Sequence, residues 1–363
     1  MSSNQKFPPY GIVKSLGLFR GLLLKLHSKL FPASVVLYEQ FQSFWLLQPL
    51  YIAAKLNIAG LLNEKPLSIE ELAIKTNARP DPLYRVLRAL SSEGIFREME
   101  GRRFKLNSRS RALLEGDGSM RNIIIHHLGN INWTACGNML HAVTTGESAF
   151  TGLHGIDIYP FLQQNPEELG RFEKSMTELS ALASGPVLSR YDFSKYTTVA
   201  DIGGGEGLLL SEIVKKHPGL KGIVFDLPEN SAKAREYIRS GKLDARMTYT
   251  PGSFFEPFSI QAEVYLMKNV LHNWDDAQCS IILTNLRNTM KQGAVLLILE
   301  MVVPGPNIPS YSKLVDMQML ATLPGGRERT LAEFESLLKK SGFRMKRLIP
   351  TIAPMAILET VMD

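Results

Sequence analysis

Cysteine is scarce in this sequence, and long apolar runs are missing from it. The 363 residues include two cysteines, Cys136 and Cys279, which lie far apart in the chain. They exclude a disulfide framework and a tetrahedral site made of thiolates alone, and they favour a reducing, cytoplasmic compartment. The longest apolar stretches, such as 294–303, contain Glu300 and fall far short of the roughly 18 residues that a membrane span needs.

Neither basic nor acidic residues are concentrated in one part of the sequence. The chain has 41 Lys and Arg against 35 Asp and Glu, a formal net charge of +6, and the basic residues are spread along it. This excess only weakly indicates an anionic partner and does not by itself predict nucleic-acid binding. With 45% apolar and 21% charged residues, the composition is that of a globular chain, and its length predicts two or three domains.

The first part of the chain is predicted to be helical. Apolar residues from Ile12 to Leu26 alternate with lysine and arginine, which predicts a basic amphipathic helix ending at Pro32. This helix either packs on the rest of the chain or on a second subunit, or it lies on a membrane surface. We favour packing, and the pattern of a signal peptide is not convincing here. The wide apolar surface of 41–62 needs two partners, so we expect a homodimer.

Residues 66–108 have the pattern of a winged helix. Ser68 and Glu71 form a capping box before a short helix, a second helix starts at Pro82, and a strand from Gly94 returns through Gly101 into 103–106. Such a motif either reads DNA or packs as a structural unit. Arginines that would support DNA binding surround it: Arg79, Arg85, Arg88, Arg102, Arg103, Arg109 and Arg111. We favour the structural role because a cofactor signature follows.

Two domains are expected, with their boundary between 188 and 189. Residues 120–139 and 160–188 read as helices, and 144–155 as a loop. After Tyr191 strands and helices alternate, which implies a parallel sheet covered on both faces, with ligands at the carboxyl ends of its strands. The predicted strands are 197–202, 222–225, 246–250, 264–267 and 294–300, with two closing strands around Met345 and Ile357; the predicted helices are 208–216, 231–240, 276–291 and 330–341.

The sharpest motif is a glycine loop directly after the first of these strands. It reads Asp201, Ile202, Gly203, Gly204, Gly205, Glu206 and Gly207. Leu208 stands where a dinucleotide fingerprint needs its third glycine. The carboxylate of Asp201 would repel a pyrophosphate but suits the positive charges of S-adenosylmethionine. Asp226, at the end of the next strand, is placed to bind a ribose, and Phe254 to stack on adenine. A structural turn and a helix N-cap are the alternatives for the loop and for Asp226.

The segment from Lys268 to Asp276, with His272 and Trp274, resembles the S-adenosylmethionine-dependent small-molecule O-methyltransferases of the caffeate and acetylserotonin type. That group also contains bacterial polyketide-tailoring enzymes. The resemblance covers nearly the whole chain and includes further matches at Trp133, Thr145, Gly146, Phe150, Phe172, Met176, Glu300, Pro304, 325–330 and Phe334.

The resemblance implies an α/β fold, a Rossmann-like doubly wound catalytic domain over 189–363, and a mainly helical dimerisation domain over 1–188 that contains the winged helix. It implies that His272 is a general base held by Glu300 and Glu328, and that no metal is required. The implied cofactor-binding residues for S-adenosylmethionine are Asp201, Gly203, Gly205, Asp226, Leu227, Ser253, Phe254 and Lys268. The implied substrate-binding residues are Phe172, Met176, Trp274, Asp316 and Met319, around a small hydroxylated aromatic or polyketide-like acceptor.

The sequence departs from the family pattern at two positions. Ser253 stands where an acid usually precedes the aromatic pair, which predicts weaker cofactor binding. Asn273 stands where an aspartate commonly follows the base, so any rise in the pKa of His272 must come from Glu300 and Glu328. Two alternatives to methyl transfer stay open: non-methylating chemistry assisted by the bound cofactor, and a winged-helix regulator that binds DNA.

Overall fold

The computed structural model describes residues 8–116 and 118–363. They form two compact units. The helical unit contains Gly11–Trp133 and Leu162–Leu179; the sheet unit contains the described residues up to Tyr10, Thr134–Phe161 and Ser180–Asp363. This division differs from the single boundary after residue 188 that the sequence predicts, because three separate stretches up to that residue belong with the sheet: the described residues up to Tyr10, 134–161 and 180–188.

Helices dominate the first part of the chain. The elements in order are α1 Tyr10–Leu30, α2 Ala33–Gln42, α3 Phe44–Lys55, α4 Ile58–Leu61, β1 Leu67–Ser68, α5 Ile69–Thr76, α6 Pro80–Ser92, β2 Arg97–Met99, β3 Arg103–Lys105, α7 Arg121–His127, α8 Asn130–Gly137, α9 Met139–Thr145, α10 Ala149–His154, α11 Ile158–Gln164 and α12 Pro166–Leu188. The loop predicted over 144–155 was wrong in part. Ser148 caps α10 by accepting from the Thr151 amide, and Ala149 and Phe150 are buried.

The winged helix has the elements predicted for it. Strands β1, β3 and β2 form an antiparallel sheet in that order beside α5 and α6. The capping box at the start of α5 is present, with Ser68 and Glu71 satisfying each other's main-chain amides. Leu72, Leu87, Leu90 and Phe104 are fully buried in the core of this unit.

In contrast, α1 buries none of its side chains, and residues such as Leu16 and Trp45 are well exposed.

Strands and helices alternate through the last part of the chain. The elements are β4 Thr198–Ile202, α13 Leu208–Lys216, β5 Lys221–Asp226, α14 Ser231–Ser240, β6 Met247–Pro251, β7 Val264–Lys268, α15 Asp276–Thr289, β8 Val295–Val303, α16 Tyr311–Thr322, β9 Arg329–Thr330, α17 Leu331–Lys340, β10 Phe343–Pro350 and β11 Met355–Met362. Helix α16 was not predicted from the sequence.

The main sheet has the strand order β10-β11-β8-β7-β4-β5-β6, and β9 pairs with β8 beyond this path. Strands β4 to β8 pair in parallel, whereas β11 runs antiparallel to both β8 and β10. The expectation of a wholly parallel sheet was therefore wrong for the last two strands. Only four residues, 351–354, join β10 to β11, and so short a connection permits only an antiparallel pair.

Both faces of this sheet are buried. Leu296 and Ile298 of β8 pack in one apolar cluster, whereas the alternate residues Leu297 and Leu299 pack in another. This alternation is what helices on both faces require. Among the described residues, no helix is long and apolar enough to span a membrane.

Candidate active site

The glycine loop follows β4 and has the left-handed backbone that glycine permits. Gly203, Gly205 and Gly207 have φ angles of 73°, 58° and 82°. A Cβ on Gly203 would lie 2.8 Å from Cγ2 of Val270, and a Cβ on Gly204 would lie 2.8 Å from Cγ of Asp201. A Cβ on Gly205 would meet no atom within 4 Å. The loop thus packs tightly on one side and leaves open space beside Gly205.

Asp226, at the end of β5, faces this loop. Its Oδ2 accepts from the Gly205 amide at 2.7 Å, and its Oδ1 accepts from the Leu227 amide at 2.7 Å and from Nδ2 of Asn230 at 2.9 Å. A carboxylate offers about four acceptor positions, so these contacts leave room for one further donor on Oδ2. Leu227 itself is 43% exposed. The loop and the carboxylate together fit a ribose hydroxyl.

Asp201 and Lys268 are two charged groups within the buried ends of β4 and β7. Burial raises the pKa of Asp201 to about 7, against the opposing effect of Lys268. Burial also lowers the pKa of Lys268, against the opposing effect of Asp201. Nζ of Lys268 donates to Oγ of Ser180 at 2.9 Å. This region has the charge balance to hold a ligand that carries both a carboxylate and a cationic centre.

An aromatic cluster lies beside the glycine loop. The ring of Trp274 is stacked 5.9 Å from Tyr159 and edge-on at 4.8 Å from Phe255 and 6.3 Å from Phe254. Phe254 comes within 3.5 Å of the Cβ position of Gly203. Nε1 of Trp274 is buried without a hydrogen-bond partner among the described residues. Such a cluster can hold a flat ring by stacking. Tyr159 was missed by the sequence analysis.

His272 sits on a short 3₁₀ turn, Leu271–Asn273, that follows β7. Its Nδ1 is 2.8 Å from Oε1 of Glu328 and 3.8 Å from Oε2 of Glu300. Oε1 of Glu300 accepts from the Leu271 amide at 2.9 Å. The three predicted side chains are therefore brought together. Glu300, however, does not end its strand, because β8 continues to Val303 and Glu300 pairs there with Ala356 of β11.

The electrostatics of this cluster favour the protonated imidazole. Burial lowers the pKa of His272, but Glu300 and Glu328 outweigh it, so the pKa is raised above its ordinary value. Burial likewise raises the pKa of Glu300, although His272 opposes that shift. The imidazole is 13% exposed, whereas the side chains of both carboxylates are fully buried. Of the three groups, only the imidazole is open to a substrate.

The same three groups have the composition of a metal site. One ligand atom from each of His272, Glu300 and Glu328 lies within 4.8 Å of the others. One His with two carboxylates is a donor set that binds divalent cations. The hydrogen bond from Nδ1 of His272 to Glu328 occupies the nitrogen that such an ion would use.

The predicted substrate residues lie in several places. Oδ1 of Asp316, on α16, accepts from the Glu328 amide at 2.8 Å, and Met319 is buried on the same helix. Phe172 and Met176 belong to the helical unit, where the ring of Phe172 lies 5.5 Å from that of His126. Their contact with an acceptor stays a prediction, as it does for Asp316 and Met319.

The two departures from the family pattern have simple local structures. Oγ of Ser253 accepts from the Phe255 amide at 3.2 Å. Nδ2 of Asn273 donates to the carbonyl of Asn269 at 3.1 Å. The rise in the pKa of His272 accordingly comes from Glu300 and Glu328. Arg329, within 325–330, was not predicted as a site residue, although it is buried and donates to the carbonyls of Leu271 and Trp274.

Two family models match this chain. The O-methyltransferase domain matches 137–344, and the O-methyltransferase dimerisation domain matches 38–116. The chain belongs to the O-methyltransferase family. This methyltransferase has the class I fold with an N-terminal helical dimerisation domain, as the sequence predicts, and it uses S-adenosylmethionine.

Relatives of this methyltransferase include enzymes of secondary metabolism. It is 37% identical to the phenazine O-methyltransferase PhzM of Lysobacter antibioticus over 90% of this chain and 96% of that protein. The crystal structure of LaPhzM matches with a TM-score of 0.87 and 36% identity, over 92% of this chain and all of that one. The neocarzinostatin biosynthesis enzyme NcsB1, solved with S-adenosylmethionine and 2-hydroxy-5-methyl naphthoic acid, matches with a TM-score of 0.75 and 27% identity over 87% and 96% of the two chains.

Proposed function

We propose that this enzyme transfers a methyl group from S-adenosylmethionine to a hydroxyl of a small aromatic acceptor, with His272 as the general base. The observation that carries the proposal is the difference in exposure within the cluster. The imidazole reaches the surface of the site, while the Glu300 and Glu328 side chains behind it are buried. A base supported in this way can take a proton from a bound hydroxyl and keep the resulting charge.

The two ring nitrogens of His272 have separate roles in this proposal. Glu328 engages Nδ1, which leaves Nε2 as the proton acceptor. As the acceptor oxygen loses its proton to Nε2, it forms a bond to the methyl carbon, and the bond from that carbon to sulfur breaks. The products are a methyl ether, S-adenosylhomocysteine and a proton held by His272. Glu300 and Glu328 stabilise the imidazolium while it exists.

Seven residues around the glycine loop, together with Lys268, would hold the cofactor. S-adenosylmethionine supplies an electrophilic methyl group. The ribose would bind Asp226, and the adenine would lie against Phe254, with Ser253 beside it. The buried charges of Asp201 and Lys268 would face the amino-acid end. The remaining members of this set are Gly203, Gly205 and Leu227.

The acceptor is proposed to be a flat hydroxylated ring. The names of PhzM and of the NcsB1 complex refer to a phenazine and to a hydroxynaphthoic acid. The stacked rings of Trp274 and Tyr159 are suited to such a shape. In the sheet unit, Asp316 and Met319 are also proposed to bind the acceptor. Phe172 and Met176, in the helical unit, are proposed as acceptor-binding residues as well.

We further propose that the helical unit forms a homodimer and that the sheet unit carries catalysis. The dimerisation model covers 38–116, and many large apolar side chains of α1 to α3, such as Leu16, Leu37 and Trp45, are exposed. Light scattering should give twice the 40.5 kDa of one chain. A monomer at micromolar concentration would contradict this part of the proposal.

The test of the activity uses methyl-labelled S-adenosylmethionine with a panel of phenols, catechols and hydroxyquinones. His272→Ala is compared with His217→Ala, which removes an imidazole at the end of α13. Label should enter an organic-extractable product with the wild type and with His217→Ala. It should fall by about 10²-fold or more with His272→Ala, the usual scale of general base catalysis. Cofactor binding without transfer to any phenol would instead favour the non-methylating alternative.

A further inference from the structure

Three consecutive residues hold the turn that carries His272. The Arg327 amide donates to the His272 carbonyl at 2.8 Å, and Glu328 engages the imidazole at 2.8 Å. Nη1 of Arg329 donates to the Leu271 carbonyl at 2.8 Å, and Nη2 donates to the Trp274 carbonyl at 2.8 Å. The carbonyls on both sides of His272 are therefore fixed by one guanidinium.

Arg329 is fully buried, which is uncommon for an arginine. It is 1% exposed, and it ranks among the largest fully buried side chains of the described chain. Among the described residues, its carboxylate partner is Asp276, which accepts from Nε at 3.0 Å and from Nη2 at 2.8 Å. Burying an arginine is costly unless its donors are satisfied. Here the donors are satisfied by the Asp276 carboxylate and by the carbonyls of Leu271 and Trp274.

The guanidinium is itself rigidly placed. Arg329 is part of β9 and pairs in register with Val302 of β8, the strand that also carries Glu300. The guanidinium of arginine holds its donors in one plane, so it fixes the positions of its hydrogen-bond partners better than the flexible ammonium of lysine does. The turn Leu271–Asn273 is a single 3₁₀ turn, which has poor internal hydrogen bonding. The position of this turn is therefore determined largely by hydrogen bonds from other segments, such as those of Arg329.

The loop before Arg329 is packed tightly against the same turn. A Cβ on Gly325 would lie 2.9 Å from Cβ of Asp275, and a Cβ on Gly326 would lie 3.3 Å from the His272 carbonyl oxygen. Such distances leave no room for the two segments to approach more closely. Arg329 and the two glycines thus both constrain the separation of the two segments.

We propose that Arg329 is a positioning residue, which holds the His272 turn so that the imidazole keeps its place relative to the acceptor hydroxyl. This inference rests on the proposed role of His272. In this proposal Arg329 contacts no substrate; it acts through its hydrogen bonds to the carbonyls of Leu271 and Trp274. Displacement of a catalytic group by about 1 Å can reduce the rate by about 10²-fold.

The test is a double-mutant cycle between Arg329→Met and His272→Ala. Arg327→Met is the matched control, because the Arg327 side chain pairs with the exposed side chain of Glu333 and only its amide contacts the turn. For each variant we would measure kcat, KM for the acceptor, the Kd of S-adenosylmethionine by calorimetry, and the thermal unfolding midpoint.

Arg329→Met should lower kcat by about 10- to 100-fold, the scale of a misplaced catalytic group, and leave the Kd of the cofactor close to that of the wild type. Arg329→Lys should restore part of kcat, and Arg327→Met should resemble the wild type. In the His272→Ala background, Arg329→Met should have little further effect, because the group that it positions is gone.

Two results would overturn the inference. One is a kcat close to that of the wild type in both Arg329 variants; the other is an equal loss from Arg329→Met with and without His272, which indicates a general structural effect. If Arg329→Met does not fold, the same cycle with Arg329→Lys decides. Failure of the proposed function is a separate outcome, because His272→Ala alone would then retain wild-type kcat.

Discussion

Glu328 and His272 are joined by one hydrogen bond of 2.8 Å between Oε1 and Nδ1. The other oxygen of this carboxylate, Oε2, is buried without a partner among the described residues. A buried carboxylate needs a compensating charge or donor to stay ionised. Among the described residues, the hydrogen bond with Nδ1 of His272 is therefore the contact that compensates the burial of the Glu328 carboxylate.

The first prediction concerns the pH dependence of kcat. His272 accepts a proton only when it is neutral, and its pKa is raised because Glu300 and Glu328 outweigh burial. The rate should therefore fall as pH decreases through this raised pKa. Glu328→Gln removes one of the raising charges, so the acid limb should move to lower pH, and the plateau should fall by about tenfold or more. Glu335→Gln, on the exposed side of α17, is the control. An unmoved acid limb in Glu328→Gln would contradict the assignment.

The second prediction compares two glycines of the cofactor loop. Alanine at either position adopts a left-handed backbone, which costs about 1–2 kcal/mol. Gly203→Ala also brings its Cβ to 2.8 Å from Val270, whereas Gly205→Ala meets open space. Urea unfolding should therefore give a larger loss of stability for Gly203→Ala. Equal losses would mean that the Val270 side chain moves aside at no cost.

The third prediction separates two roles for Asp316. If its main contribution is the hydrogen bond to the Glu328 amide, Asp316→Ala should lower kcat by about fivefold, the equivalent of about 1 kcal/mol for one hydrogen bond. KM for the acceptor should then stay near its wild-type value, and Asp316→Asn, which keeps an acceptor oxygen, should be nearly normal. A higher KM with unchanged kcat would instead assign Asp316 to acceptor binding.

The fourth prediction concerns metals. Although His272, Glu300 and Glu328 are close enough to hold an ion, proton removal followed by methyl transfer needs only a base. Dialysis against EDTA should leave kcat unchanged. A loss of activity that one particular divalent ion restores would show that the cluster is a metal site instead.

The fifth prediction addresses the winged helix. Several of its arginines already have partners: Arg102 pairs with Asp81, Arg103 donates to the Pro66 carbonyl and Arg109 to the Glu93 carbonyl. Fluorescence anisotropy with a random DNA duplex should therefore detect no binding, even at low salt, where non-specific binding is strongest. Binding that weakens steeply as salt is added would support the regulator alternative.

The sequence predicts the strands of the catalytic region well because their apolar runs are short and bounded by glycine, proline or charge. Helices α13 and α14 begin and end at the predicted residues. The direction of β11 could not be read from periodicity, since a buried strand has the same pattern whether it runs parallel or antiparallel. That direction places Glu300 opposite Ala356, inside the strand and not at its end.

The proximity of His272 and Glu300 could be expected, because the carboxyl-terminal parts of the neighbouring parallel strands β7 and β8 lie at the same edge of the sheet. The burial of Arg329 could not. Arginine is seldom fully buried, and two of its partners here are main-chain carbonyls, which leave no trace in the side-chain pattern. The same limit applies to Tyr159, a lone aromatic residue in a helical stretch that only the fold brings to Trp274.

The contacts of residues 327–329 also limit the insertions and deletions that this part of the chain can tolerate. An amide, a carboxylate and a guanidinium on successive residues each meet a different group on 271–274. Inserting or deleting one residue among them would shift all three out of register together. We therefore expect substitutions on α16 or in the aromatic cluster to be tolerated better than any change in the spacing from Gly325 to Thr330.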